Sequence, residues 1–384
     1  MHVAIAGGGI FGSTAALALA RRGHRVTLID AGRLPHPLAE STDISKVVRL
    51  DYGGDELYTA LAERALDGWR AWNRAAPGDP LFHETGVTFL ARRPLAPGGF
   101  EHDSFALLTG RGHRLERLDA AAIARRFPAY RPGAMVDGYF NPAGGWVTAT
   151  RTVERVLAEA RALGVEVRER CPARAIDRDR GDLLLAGGRL AADHVLVAAG
   201  AWTPLLCPWL AGPLRARGQA VFHLRPADGR HFAADRFPVF GLDIARTGFY
   251  GFPLAAGGVV KIGHHGPGVE VAMDSDERVV PAAVEADLGA LLADVLPGLA
   301  DAEIAFRRLC VYGDTGDEHF WIARDPDRPR LTVAAGGSGH GFKFAPVLGD
   351  LIADAVLGAP VPDRFGWRTD VRSGGEEAAR FRGD

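Results

Sequence analysis

The chain opens with apolar runs punctuated by glycines. Residues 3–6 (Val-Ala-Ile-Ala) are apolar throughout, and 13–22 form an Ala/Leu-rich stretch that stops at Gly23. A short unbroken apolar run predicts a strand buried on both faces. A glycine just past a helical stretch predicts the helix end. A second strand is expected over 25–29, and strand, turn, helix and strand in that order open a parallel sheet. The same texture continues. Helices are predicted over 56–73 (amphipathic, carrying Trp69 and Trp72), 119–127 (closed by Pro128) and 150–163 (ended by Gly164), and strands over 86–91, 165–168, 183–185 and 194–198.

Between 214 and 312 the pattern changes. Short alternating segments at 220–224, 249–252 and 259–263 predict an antiparallel sheet, interrupted by a helix over 281–292. The last part returns to the opening style, with a strand over 331–335, a glycine-rich stretch over 336–341 and a helix over 345–357. The polar tail after Trp367 is expected to fray. The fold class expected is α/β (α+β): a Rossmann-type domain, discontinuous over 1–80, 145–213 and 321–384, with a β-rich substrate domain over 81–144 and 214–320 inserted into it.

Composition narrows the function. A length of 384 residues suits two or three packing units. A net charge of −2 offers no electrostatic reason to bind nucleic acid or an anionic membrane, and the arginines scattered over 113–126 are expected to decorate a helix face. No apolar run reaches the roughly 20 residues of a membrane span. The stretch 3–6 runs into glycines without the charged flank and cleavage site of a signal peptide, so the cytoplasm is the expected compartment. Cys171, Cys207 and Cys310 are too few and too scattered for a disulfide framework or a zinc site, and no metal is expected. A monomer or small homo-oligomer is expected.

Gly7-Gly8-Gly9-Ile10-Phe11-Gly12 follows the first strand and opens the first helix. Gly7 allows the tight turn, Gly9 lets the backbone approach a pyrophosphate, and Gly12 lets helix and strand pack closely. The helix N-terminus faces the phosphates. Asp30, followed by Ala31, ends the second strand, where an acidic side chain takes ribose hydroxyls. The spacing points to a bound dinucleotide and leaves NAD and FAD both open.

Three further features carry chemistry. Lys261 lies in the apolar run Val259-Val260-Lys261-Ile262-Gly263, where a buried lysine is costly unless paired or used; the alternative is an edge-strand lysine facing solvent. Cys310 lies in Arg308-Leu309-Cys310-Val311-Tyr312; a lone cysteine is commonly an inert buried side chain. The stretch Gly336-Gly337-Ser338-Gly339-His340-Gly341-Phe342-Lys343-Phe344 precedes the last helix, where backbone N–H groups are suited to holding negative charge.

These residues, with Val195-Leu196-Val197-Ala198-Ala199-Gly200-Ala201-Trp202-Thr203 and the blocks 41–52, 250–265, 308–320 and 336–357, resemble the D-amino-acid oxidase superfamily of flavoproteins. Within it the chain is similar to the monomeric sarcosine oxidase and N-methyltryptophan oxidase group, and to fructosyl-amino-acid, pipecolate and saccharopine oxidases, over nearly its whole length. The resemblance implies FAD, linked through a thioether to Cys310. It implies Lys261 over the flavin, promoting electron transfer to O2, and Arg49 and Lys343 binding a substrate carboxylate. It also implies Tyr250 and Tyr312 as pocket aromatics. His265 falls at a family histidine position, although a surface pair with His264 is an equal reading. Further cofactor contacts implied are Thr42, Ser45, Lys46, Ala173, Gly200, Trp202, Gly337, Gly339, His340, Gly341, Phe342 and Lys343. Thr42 and Lys46 replace a histidine and an arginine of the sarcosine oxidases, and fructosyl-amino-acid and saccharopine oxidases match this block more closely.

The expected activity is FAD-dependent oxidation of an amino acid with a secondary amine (N-alkylated, cyclic or sugar-conjugated), giving an imine that hydrolyses and hydrogen peroxide from O2. The rivals are a dehydrogenase that passes electrons to a quinone or carrier, and a non-catalytic flavoprotein subunit.

Overall fold

The computed structural model describes every residue except 178–180, 276, 369–370, 372–374 and 384. Its first sheet has six strands in the order Trp321–Asp325, Arg328–Ala335, His194–Val197, His2–Ala6, Arg25–Ile29 and Glu166–Arg168. All pairings are parallel except the edge hairpin of Trp321–Asp325 with Arg328–Ala335. The central strands carry apolar residues on both faces because both faces are covered. Helices Ile10–Arg21, Glu56–Ala75, Ala149–Ala162 and Ala345–Leu357 share one core with Val3, Ile5, Val26, Leu28 and Leu196. Glycine permits the closest of these approaches: a Cβ on Gly349, in the last helix, would overlap the carbonyl of Thr14 in the first.

The second large sheet is mainly antiparallel. Its strands run Val269–Glu270, Leu214–Arg225, Val260–His264, Phe249–Gly251, Val239–Leu242, Val87–Ala91, Asp137–Asn141 and Glu116–Asp119, with Glu303–Thr315 also paired to Leu214–Arg225. The pairing of Val239–Leu242 with Val87–Ala91 is parallel. Its core gathers Phe222, Phe237, Phe240 and Ile262 against helix Ala282–Val295. A small sheet of Lys46–Val48, Gly145–Val147 and Phe82–His83 lies apart from both.

Most element boundaries fall within a few residues of expectation. The expected segment 220–224 is part of a 12-residue strand, because pairing with the 13-residue Glu303–Thr315 extends it. Helix Phe100–Gly110 was not expected from the pattern. The arginines of 113–126 do not share one helix: the helix is Ala120–Arg126, and Arg117 sits on a strand and pairs with Asp137. The expectation of a frayed tail is corrected for its described residues: Glu377, Ala379 and Arg380 are buried. Polarity misleads here because the tail's charges are matched by buried partners, Arg380 by Asp314 at 2.5 Å and Glu318 at 3.2 Å.

Candidate active site

Two cavities meet at Phe342, which lines both. The larger, ≈ 490 Å³, is lined by Gly7, Gly9, Ile10, Phe11, Asp30, Ala31, Ala173, Gly200, Trp202, Gly337 and Gly341. Backbone geometry builds it. Gly7 sits at φ +108°, and a Cβ on Gly12 would overlap the Gly7 carbonyl oxygen. Asp30 accepts from the Gly8 N–H at 2.8 Å and the Gly32 N–H at 2.9 Å, so the acid ties the loop to the second strand. Ser41 accepts from the Ile10 N–H at 2.9 Å at the helix start. His36, Glu40, Ser41 and Cys171 also line this cavity, and the glycine pattern carries no signal for them because they come from other segments.

The smaller cavity, ≈ 60 Å³, brings together Lys46, Arg49, Tyr250, His265, Tyr312, Gly339, His340 and Lys343. Here side chains do the building. Lys343 Nζ donates to the Tyr52 hydroxyl at 2.9 Å and to the His340 carbonyl at 2.8 Å. His340 Nε2 faces the Glu318 carbonyl at 3.0 Å and therefore carries the proton, so its Nδ1 accepts from the Tyr52 hydroxyl at 3.1 Å. Burial takes His340 down to about 3, which keeps that tautomer neutral. Burial, then the Arg49 charge, takes Lys343 well below the ordinary lysine range. Tyr250 and Tyr312 line the same cavity, and burial raises both.

Arg49 is buried, with its guanidinium 4.5 Å from the centre of the Tyr52 ring, and its Nη2 donates to Glu377 Oε1 at 2.5 Å. Glu377 Oε2 takes His265 Nε2. Burial pushes the Glu377 carboxyl up, but His265 and Arg49 outweigh it and hold the group well below the usual carboxylate range. His265 is thus a buried residue of the site and no surface pair with His264.

Lys261 is fully buried and central in its sheet, which removes the solvent-facing reading. Its Nζ donates to the Ser45 carbonyl at 2.5 Å, pairs with Asp43 Oδ2 at 2.9 Å and lies 4.7 Å from the centre of the Phe252 ring. Burial lowers it to about 8 against the opposing pull of Asp43. Asp43 and Glu377 were missed from the sequence. The cost of burying Lys261 demands an acid partner, so Asp43 could have been sought. Glu377 has no local signal.

Some expected contacts lie apart from the larger cavity. The Thr42 hydroxyl is spent on the carbonyls of His36, Pro37 and Ala39. Ser45 meets Lys261 through its carbonyl. Cys310 is buried with Val221 and Tyr312, whereas the alternate residues Val311 and Gly313 line the larger cavity. Strand alternation therefore puts Cys310 on the face shared with Tyr312. Gly339, at φ +77°, lies where a Cβ would strike the Tyr312 ring.

Two layers of α/β structure, a glycine-lined cavity at the carboxyl ends of parallel strands and an adjoining charged cavity define a dinucleotide-dependent enzyme. The sequence profile of the FAD-dependent oxidoreductases matches residues 2–355, and the chain belongs to that family. It is 33% identical to N-methyl-L-tryptophan oxidase of Salmonella arizonae, covering 92% of this chain and 94% of that protein. It is 32% identical to the enzyme of the same name from Escherichia coli K12, covering 91% and 93%. Among solved structures it superposes on the deglycating fructosamine oxidase (Amadoriase II) of Aspergillus fumigatus with a TM-score of 0.84 at 25% identity, covering 100% of this chain and 93% of that one. FAD fits the larger cavity. Beyond its chain neighbours, a Cβ on Gly9 would meet only Ser41, at 3.1 Å, and the bare backbone at the helix start lines the space a pyrophosphate needs.

Proposed function

We propose that this enzyme oxidises an amino acid carrying a secondary amine (N-alkylated, cyclic or sugar-conjugated) and passes the electrons to O2. The observation that carries this reading is the convergence of Arg49, Lys343, Tyr250 and Tyr312 on one cavity that meets the cofactor cavity at Phe342. Bound FAD supplies the two-electron acceptor for the C–H bond next to nitrogen. The protein supplies position, which is a large share of catalysis in such reactions. Arg49 and Lys343 hold the substrate carboxylate. The chain from Lys343 through Tyr52 and His340 to the Glu318 carbonyl fixes the direction of Lys343 Nζ. Tyr250 and Tyr312 form an apolar wall that keeps water from the reacting carbon. The imine released hydrolyses in water, and hydrogen peroxide is the reduced product of O2.

The domain division at 1–80, 145–213 and 321–384 against 81–144 and 214–320 would assign FAD to the first set. Arg49 and Lys343 then reach the substrate carboxylate from the cofactor's own domain, while Tyr250 and Tyr312 line the smaller cavity from the other. Among the described residues no helix is long and apolar enough to cross a membrane, and the cytoplasm is the compartment proposed.

An anaerobic screen of N-methyl, cyclic, fructosyl and plain amino acids tests the reading. Bleaching of the flavin by secondary amines is expected; bleaching by none of them would defeat it. Cys310 is proposed as the point of covalent attachment on the strength of the sequence resemblance and of its place two residues before Tyr312, which lines the smaller cavity. Flavin that stays with the polypeptide after acid precipitation is expected, and full release would exclude the link. One observation favours a dehydrogenase that uses a quinone or carrier instead: the Asp43 carboxylate partly compensates the Lys261 charge. Stoichiometric peroxide under air decides for the oxidase.

A further inference from the structure

Glu377 has no part in the clamp described above, yet the fold delivers it there with care. It arrives on the segment 375–383, which is anchored on several sides. The Glu377 N–H donates to Glu318 Oε2 at 3.0 Å, the Phe381 N–H donates to the His265 carbonyl at 3.1 Å, and Arg380 Nε donates to the Gly266 carbonyl at 3.0 Å. Ala379 packs in the cluster of Phe89, Phe100 and Tyr139. The carboxylate ends between Arg49 Nη2 and His265 Nε2, both on residues that line the smaller cavity. Arg49 Nη1 is buried and meets no hydrogen-bond partner among the described residues.

A guanidinium offers its donors as a rigid fork, and a carboxylate that takes one edge leaves the other for a second ligand. We propose that Glu377 is a specificity-determining residue of this site: it occupies the Nη2 edge of Arg49 together with His265, so a substrate carboxylate docks end-on at Nη1 and competes with Glu377 for the guanidinium charge. The proposal rests on the reading that Arg49 binds the substrate carboxylate. Two carboxylates on one arginine in a dry site repel each other. The native site therefore holds a carboxylate ligand less tightly than the same site with a neutral residue at 377. A ligand without that charge gains nothing from the exchange. The sequence contains no pattern for this, because Glu377 lies 328 positions from Arg49.

The test uses the FAD-loaded enzyme under anaerobic conditions, with N-methyl-L-tryptophan and its methyl ester as paired probes and the apparent Kd read in stopped flow from the concentration dependence of the flavin-reduction rate. Glu377→Gln keeps an acceptor for Arg49 and removes the charge. It is expected to tighten the acid by about tenfold or more while changing the ester by less than about twofold. Glu377→Asp keeps the charge and is expected to stay near the parent for both probes. Arg49→Gln separates the two readings. If Arg49→Gln weakens the acid but Glu377→Gln leaves it unchanged or weaker, the proposal falls and the clamp stands. If Arg49→Gln changes neither probe, the clamp reading falls and takes the proposal with it. Equal tightening of acid and ester by Glu377→Gln, or tightening by Glu377→Asp to the same extent, would assign the effect to loosened packing of the tail and overturn the proposal. Should Glu377→Gln fail to fold, Glu377→Ala is read with the same paired probes: tightening of the acid alone supports the proposal, and an unchanged acid or an equal change in both probes overturns it.

Discussion

The two cavities are built on opposite plans. The larger is made mainly of backbone: glycines at Gly7, Gly9, Gly200, Gly337 and Gly341, a helix start, and the Asp30 carboxylate that ties the loop together. The smaller is lined by buried charge: Arg49, paired with Glu377, and Lys343, hydrogen-bonded to Tyr52, while the buried pair of Lys261 with Asp43 lines neither cavity. The first plan recognises shape and phosphate through groups every chain possesses, so it can be concentrated in one short stretch. The second needs particular side chains in a dry setting, and a buried charge is tolerable only with a partner in place. Those partners come from segments that meet only after folding.

Each plan has a characteristic way of failing. Gly12→Val forces a side chain into the Gly7 carbonyl, overpacking that costs about 3 kcal/mol or more at the loop itself, and should leave purified protein nearly free of flavin by its visible absorbance. Retained flavin would break the claim that backbone shape makes the first site. Lys261→Met should slow flavin reoxidation by O2 by about 10²–10³ while sparing anaerobic reduction, since a fixed charge in a dry site acts where negative charge develops. Stopped-flow traces of both half-reactions check it; equal losses would move Lys261 out of the oxygen step.

Arg49→Lys keeps the charge and loses the fork. It should raise KM for a carboxylate substrate by about tenfold with little change in kcat, read from steady-state kinetics on the acid and its ester. A pH series probes Lys261 more gently. Its lowered value near 8 means the cation is present below that pH and lost as pH rises through it. Reoxidation should therefore fall roughly fourfold between pH 7 and about pH 8.5, with the decline absent in Lys261→Met. The smallest effect is expected from a charge pair outside both sites. Arg21 and Glu159 pair at 2.9 Å with about half of each side chain exposed, and Arg21→Ala should change stability by ~0–1 kcal/mol in urea unfolding.

The legible part of the molecule follows the same division. The opening strand, helix and strand, the glycine loop and Asp30 are encoded within 30 residues, and the fold reproduces them within a few positions. The middle strands were visible only in fragments. Residues 303–309 of Glu303–Thr315 are mostly solvent-facing and mix Glu303, Arg307 and Arg308 with apolar residues in no strict alternation, and pairing with Leu214–Arg225 keeps them extended. Lys261 announced itself because an apolar run surrounds it. Asp43 did not, because an acid in a polar stretch looks ordinary.

By itself the sequence determined that a dinucleotide binds at the first strand and that a lysine is buried in the second sheet, since both signals are local: spacing in one case, hydrophobic context in the other. Only the tertiary structure decided which charges those groups face. Glu377 lies in a tail whose polarity argues for solvent, and it becomes a ligand of Arg49 because the segment 375–383 packs back onto the site through Arg380 and Ala379. Coulomb attraction depends on distance in space, and distance in space is what a linear pattern of polar and apolar residues leaves unstated.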